Sequence, residues 1–167
     1  MSVYKRKRHV SEYEFFHKAL EIRVEVNKIM VQESAVPKRY RLTNAVPTIE
    51  TARSIVYNIN RADSFYPNSP MNVIERRKYL TLAIADCEQL CLDMQCLLQL
   101  ALPVKASRFD KLIDLIEEEI ELLKGARKNV RLIGKMGIDE RIEDMRKQLA
   151  LLQEANERDF EDDKVQS

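Results

Sequence analysis

The stretch L80-T-L-A-I-A-D-C-E-Q-L-C-L-D-M-Q-C-L-L-Q-L-A101 decides the fold class. Leu80, Ile84, Cys87, Cys91, Met94, Leu98 and Ala101 recur in unbroken alternating steps of four and three. Ala83, Leu90 and Leu97 widen that seam on one side. A stripe this wide and regular predicts a central bundle helix over about 71–101.

The same periodicity predicts helices on either side. Upstream, Ser11 and Glu14 have capping-box spacing and open a first helix that runs to about Gln32. Tyr13, Phe16, Leu20 and Val24 form its seam, flanked by Phe15, Ala19, Ile22, Val26 and Ile29. A second helix lies within about 38–64, with Ile49, Ala52, Val56 and Ile59 inward. Pro47 has no amide hydrogen, so a short or kinked first turn is expected before it and regular helix after it. Downstream, Ser107 and Asp110 are expected to cap a fourth helix over about 107–133, with Phe109, Ile113, Ile116, Ile120 and Leu123 as its seam. Gly134 and Gly137 bracket a break. Ile138, Ile142, Met145, Leu149 and Leu152 then trace a narrow stripe suited to a coiled coil or a docked helix.

The expected fold is therefore all-α, an antiparallel up-down four-helix bundle with an additional C-terminal helix. The chain divides into a basic N-terminal arm (1–10), the bundle (11–135) and an acidic C-terminal helix and tail (136–167). The formal net charge of +1 conceals this division. Residues 1–135 hold 23 Lys/Arg against 17 Asp/Glu, a balance of +6, whereas 136–167 hold 5 against 10, a balance of −5.

Composition narrows the function classes. Only 3 glycines and 5 prolines in 167 residues disfavour a loop-rich β-fold. No apolar run approaches the ~20 residues of a membrane span, and no apolar segment of a secretory signal follows the N-terminal cations. Cys87, Cys91 and Cys96, all in one predicted helix, argue for a reducing compartment, with the cytoplasm as the expected location.

No catalytic set is legible. The chain has no glycine-rich phosphate loop, no nucleophile elbow and no histidine paired with a nucleophile. Cys87 and Cys91 have a spacing that metal sites use, but they lie on the apolar seam and no histidine completes a set. His9 and His17 are too far apart to share a helical face closely. Glu117, Glu118, Glu119 and Glu121 read as a solvated acidic face, because Ile116, Ile120 and Leu123 claim the interior. The expectation is a protein without enzymatic activity, cofactor or metal.

Cations carry more information. They fall in four groups: Lys5, Arg6, Lys7 and Arg8; Lys38, Arg39 and Arg41; Arg76, Arg77 and Lys78; and Lys124, Arg127, Lys128 and Arg131. Cations in the opening turns of a helix meet the positive end of its dipole, which opposes them by about 0.3–1 kcal/mol. Arg76, Arg77 and Lys78 therefore point to an anionic partner. In an up-down bundle the first, third and fourth groups converge on one pole and Lys38–Arg41 marks the other. Converging cations attract phosphates, and Tyr4, Tyr40 and Tyr79 beside them are candidates for stacking on bases. The acidic fifth helix either folds back to screen this surface or projects as a docking or assembly helix.

V-P-K-R-Y-R at 36–41, R-A-D-S-F-Y-P at 61–67, E-R-R-K-Y at 75–79 and P-V-K-A-S-R-F-D-K-L-I-D-L-I-E-E-E-I-E-L-L-K-G-A-R-K at 103–128 resemble one bundle family. The resemblance, over roughly 10–133, is to the accessory variability determinant proteins of diversity-generating retroelements. More loosely, the chain is similar to the four-helix proteins encoded in ribosomal-RNA intervening sequences. The resemblance implies a non-catalytic homo-oligomer, a pentamer in that family, that binds a reverse transcriptase and its structured template RNA or RNA/DNA hybrid and supports mutagenic cDNA synthesis. It places Lys38, Arg39 and Arg41 on the family's basic turn before helix two. Arg76, Arg77 and Lys78 fall at the basic start of helix three, and Lys124, Arg127 and Lys128 at the end of helix four. The near-neutral charge and the segment 138–160 depart from the family pattern. The alternative expectation is an oligomeric protein–protein adaptor without direct RNA binding.

Overall fold

The computed structural model describes residues 13–133 and 142–153. The described residues are all helical apart from their connections, with no strand among them. The helices are α1 (Glu14–Met30), α2 (Val46–Ser64), α3 (Pro70–Gln99), α4 (Asp110–Asn129) and α5 (142–153). No described helix is long and apolar enough to cross a membrane.

Local chemistry sets the helix boundaries. The Ser69 hydroxyl accepts from the Asn72 amide at 3.1 Å, and Pro70 takes the first helical position, where its missing N–H costs nothing. α3 stops in a left-handed turn. Ala101 has φ 51°, its amide bonds to the Leu98 carbonyl at 3.0 Å, and the Leu102 amide reaches Leu97 at 3.4 Å. These two bonds satisfy carbonyls that the helix end would otherwise leave bare.

Before α2 the chain makes a 3₁₀ turn (Lys38–Tyr40) and a π turn (Arg41–Ala45), so regular helix begins around Pro47 as expected. The Thr48 hydroxyl bonds the Asn44 carbonyl at 2.8 Å across this irregular entry.

Two expected caps differ. Ser11 lies outside the described residues, and the helix-entry residue Tyr13 makes no side-chain cap. At α4 a 3₁₀ turn (Ala106–Arg108) leads directly into the helix, and Phe109 rather than Ser107 stands at its entry. Backbone bonds such as Ile113 N to Phe109 O at 2.7 Å carry the chain in without a side-chain cap.

The seams are also shifted. In α1 the buried residues are Ala19, Ile22, Val26, Ile29 and Met30, while Tyr13 and Val24 are exposed. In α2 they are Thr48, Ala52, Ile55, Asn58, Ile59 and Ala62, with Ile49 and Val56 only partly covered. α3 buries Leu80, Ala83, Ile84, Cys87, Leu90, Met94 and Leu97, leaving Leu98 and Ala101 outside. In α4 the inner line is Phe109, Leu112, Ile116, Glu119 and Leu123. Each helix presents a wedge wider than one stripe, and the position of its neighbours selects which edge is buried.

α1 packs on α2 and α4, and α3 packs on α2 and α4. Residue numbers run in opposite senses across the contacts. Thr51 bonds Asp93 at 2.8 Å and Asn58 bonds Asp86 at 2.7 Å between α2 and α3. Lys18 pairs with Glu118, and farther along Arg108 bonds Gln32 at 2.6 Å. In α5, Ile142, Met145, Leu149 and Leu152 are all exposed.

Candidate interaction pole

The end of α2, the starts of α1 and α3, and the end of α4 meet around an open cleft of about 800 Å³. Tyr13, Phe15 and Tyr66 supply aromatic walls, Leu80, Leu122 and Ala126 supply apolar surface, and Arg76 and Arg131 border it. Tyr13 and Phe15 stack with ring centroids 5.1 Å apart, and Tyr66 is 59% exposed.

Two predicted basic groups converge here. Arg77 donates to the Val130 carbonyl at 2.7 Å, and Arg127 donates to the Thr81 hydroxyl at 3.2 Å, locking the start of α3 to the end of α4. Arg76 is mostly covered, its side chain 14% exposed, and it bonds Asp63 and the Phe65 carbonyl, each at 3.3 Å. These partners revise the expectation drawn from the helix dipole. The positive end of α3 does oppose cations, but Arg77 lies against the carbonyl-rich, negative end of α4. The compensation is internal for Arg76 and Arg77.

The remaining cations divide by whether they are engaged. Lys78 bonds Glu75 at 3.4 Å and lies 5.7 Å over the Tyr79 ring, while Lys124 bonds Glu121 at 2.8 Å. Lys128 and Arg131 are exposed and take no partner among the described residues. At the other pole, Lys38 stands 4.0 Å from Glu33, Arg39 lies 4.7 Å over Tyr40, and Arg41 donates to the Val31 carbonyl at 3.2 Å. Lys5, Arg6, Lys7 and Arg8 lie outside the described residues, as do Tyr4 and His9.

Sequence reasoning missed several contributors. Arg61 adds a cation at the end of α2, 4.9 Å from Tyr57 and 5.7 Å from Tyr79. Tyr79 is not a free stacking platform, because Phe65 stacks on it at 5.6 Å. Tyr66 has the exposure that Tyr79 lacks. Its signal was an aromatic pair, Phe65 and Tyr66, in a proline-bearing loop.

Glu119 was read as solvated, but it is 0% exposed and neither carboxyl oxygen finds a hydrogen-bond partner among the described residues. Burial drives its pKa up to about 8, Lys18 opposes the rise and Glu14 adds to it. It is therefore mostly a neutral acid at pH 7. Across from it the Cys87 thiol is also pushed up, first by burial and then by Glu119 itself. Burial likewise raises Cys91, and Cys96 is exposed. No group of three or more His, Cys, Asp or Glu side chains among the described residues is placed to hold a metal.

No protein-family model, curated protein or solved structure matches the chain. The pole's chemistry and the sequence motifs carry the functional reading.

Proposed function

We propose that the chain is a non-catalytic accessory protein that binds a reverse transcriptase and its template RNA in a diversity-generating retroelement. The observation that carries RNA binding is the convergence of cations from α2, α3 and α4 on one pole, where Lys128 and Arg131 are exposed and take no partner among the described residues. Such a cluster attracts phosphates over a distance of about 10 Å at moderate salt. The reverse transcriptase, the pentameric assembly and the cytoplasmic setting rest on the resemblance and the cysteine content. The reading includes an antiparallel up-down four-helix bundle formed by α1–α4, supported by the opposed numbering of the α2–α3 and α1–α4 contacts. Polymerisation chemistry belongs to the partner.

The experiment is a binding titration of purified protein with labelled template RNA over a range of salt, followed by capture of the cognate reverse transcriptase. RNA binding that weakens steeply with salt supports the proposal. A second reading, a protein–protein adaptor, is favoured by the exposed apolar line Ile142, Met145, Leu149 and Leu152. Capture of the polymerase by protein that ignores RNA would establish that reading instead.

A further inference from the structure

Gly125 stands inside α4, and glycine is the least favourable helix residue after proline. Glycine in a helix is commonly explained by a close neighbour that leaves no space for a side chain. Here a Cβ built on Gly125 meets no atom within 4 Å. The described chain does not use the room, and Gly125 opens into the aromatic-walled cleft at the basic pole.

We propose that this cleft takes an unstacked nucleobase of a single-stranded RNA, with Arg131 holding an adjoining phosphate. The inference rests on the RNA-binding reading and deepens it by naming the recognised element. The lining selects this ligand. Tyr66, 59% exposed, offers a ring face to a flat group, Phe15 adds an aromatic wall, and Leu122 and Ala126 offer apolar surface. The two acids on the wall are occupied, Asp63 by Arg76 at 3.3 Å and Glu121 by Lys124 at 2.8 Å. Arg131 therefore presents positive charge at the border that no described residue pairs with, which favours an anionic ligand over a purely apolar one. A base in a paired duplex cannot enter, so the cleft distinguishes single strands from duplexes.

The discriminating variant is Gly125→Leu. It projects a side chain into the open space beside residue 125 and narrows the cleft, and a leucine there also favours the helix, so loss of binding cannot be attributed to unfolding once thermal melting is shown to be unchanged or raised. Binding is measured by fluorescence anisotropy with a labelled single-stranded RNA and with a blunt-ended duplex of two complementary strands. Gly125→Leu is expected to weaken single-strand binding about tenfold, the worth of one stacked base, and to leave duplex binding within about twofold. Tyr66→Ala should do the same and Tyr66→Phe should retain affinity, because stacking needs the ring and not the hydroxyl. Wild-type binding to both RNAs with no effect of Gly125→Leu or Tyr66→Ala would overturn the cleft while leaving the RNA-binding reading standing. Wild-type protein that binds neither RNA would overturn both. Binding of single strands and duplexes reduced equally by Gly125→Leu would also overturn base recognition.

Discussion

Arg77, early in α3, donates to the Val130 carbonyl at 2.7 Å and closes the C-terminal end of α4. The residues are 53 positions apart, and the bond ties together two of the four helix ends at the pole. A charged donor on a bare helix-end carbonyl is worth about 1.5–3 kcal/mol.

Arg77→Ala should therefore lower stability by about 2 kcal/mol. For a domain of this size that is a fall of roughly 5 °C in Tm. Differential scanning calorimetry checks it. Lys128→Ala, which removes an exposed cation with no partner among the described residues, should leave Tm within about 1 °C. The pair separates cations that hold the pole together from cations available to a ligand.

Ala101 adopts φ 51° at the end of α3, a conformation that glycine takes without steric cost. Ala101→Gly should add about 1 kcal/mol of stability by relieving that strain. Urea unfolding should show a higher midpoint with an unchanged slope.

Glu119 gives stability an unusual pH dependence. Its ordinary pKa is 4.5 and its folded value is about 8, so the native state holds a proton that the unfolded state has released between those limits. Its contribution is intact below pH 4.5 and is lost as pH rises towards 8. The loss is on the order of 3 kcal/mol by pH 7. Glu119→Gln, neutral at every pH, should match the wild type near pH 5 and gain on it steadily up to about pH 8. Urea unfolding of both proteins across that range checks it. A difference that stays flat with pH would show that Glu119 is not held neutral in the folded protein.

The three thiols should react in order of exposure. Cys96 is exposed, Cys91 is half-buried with its pKa raised by burial, and Cys87 is fully buried. Thiolate availability controls the rate, so Cys96 should be labelled first by a disulfide-exchange reagent and Cys87 only on unfolding. Peptide mapping after timed quenching reads the order.

Most of the helices were legible from sequence, because apolar periodicity and punctuation by Pro47 are local signals. The buried edge was not. In α4 both Phe109, Ile113, Ile116, Ile120, Leu123 and Phe109, Leu112, Ile116, Glu119, Leu123 advance in steps of three and four. Hydrophobicity favours the first line, yet the packing of α1 and α3 buries the second, and Glu119 with it. The meeting of the Arg76–Lys78 and Lys124–Arg131 groups was legible, because α3 and α4 run in opposite senses and bring Arg77 to Val130 and Thr81 to Arg127. The roles within those groups were not, because Arg76 answers to Asp63 and Arg77 to Val130, partners that only tertiary packing selects. The cleft was hidden for the same reason, since its walls come from segments as distant as Phe15, Tyr66 and Gly125.

The most direct test of the account is the salt dependence of RNA affinity, measured for wild type and for the Lys128→Ala, Arg131→Ala double variant. The account predicts a straight, steep fall of log affinity with log salt. The double variant should bind more weakly, with its slope shallower by about 1–2. A wild-type affinity insensitive to salt, or a double variant with the wild-type slope, would contradict phosphate binding at this pole.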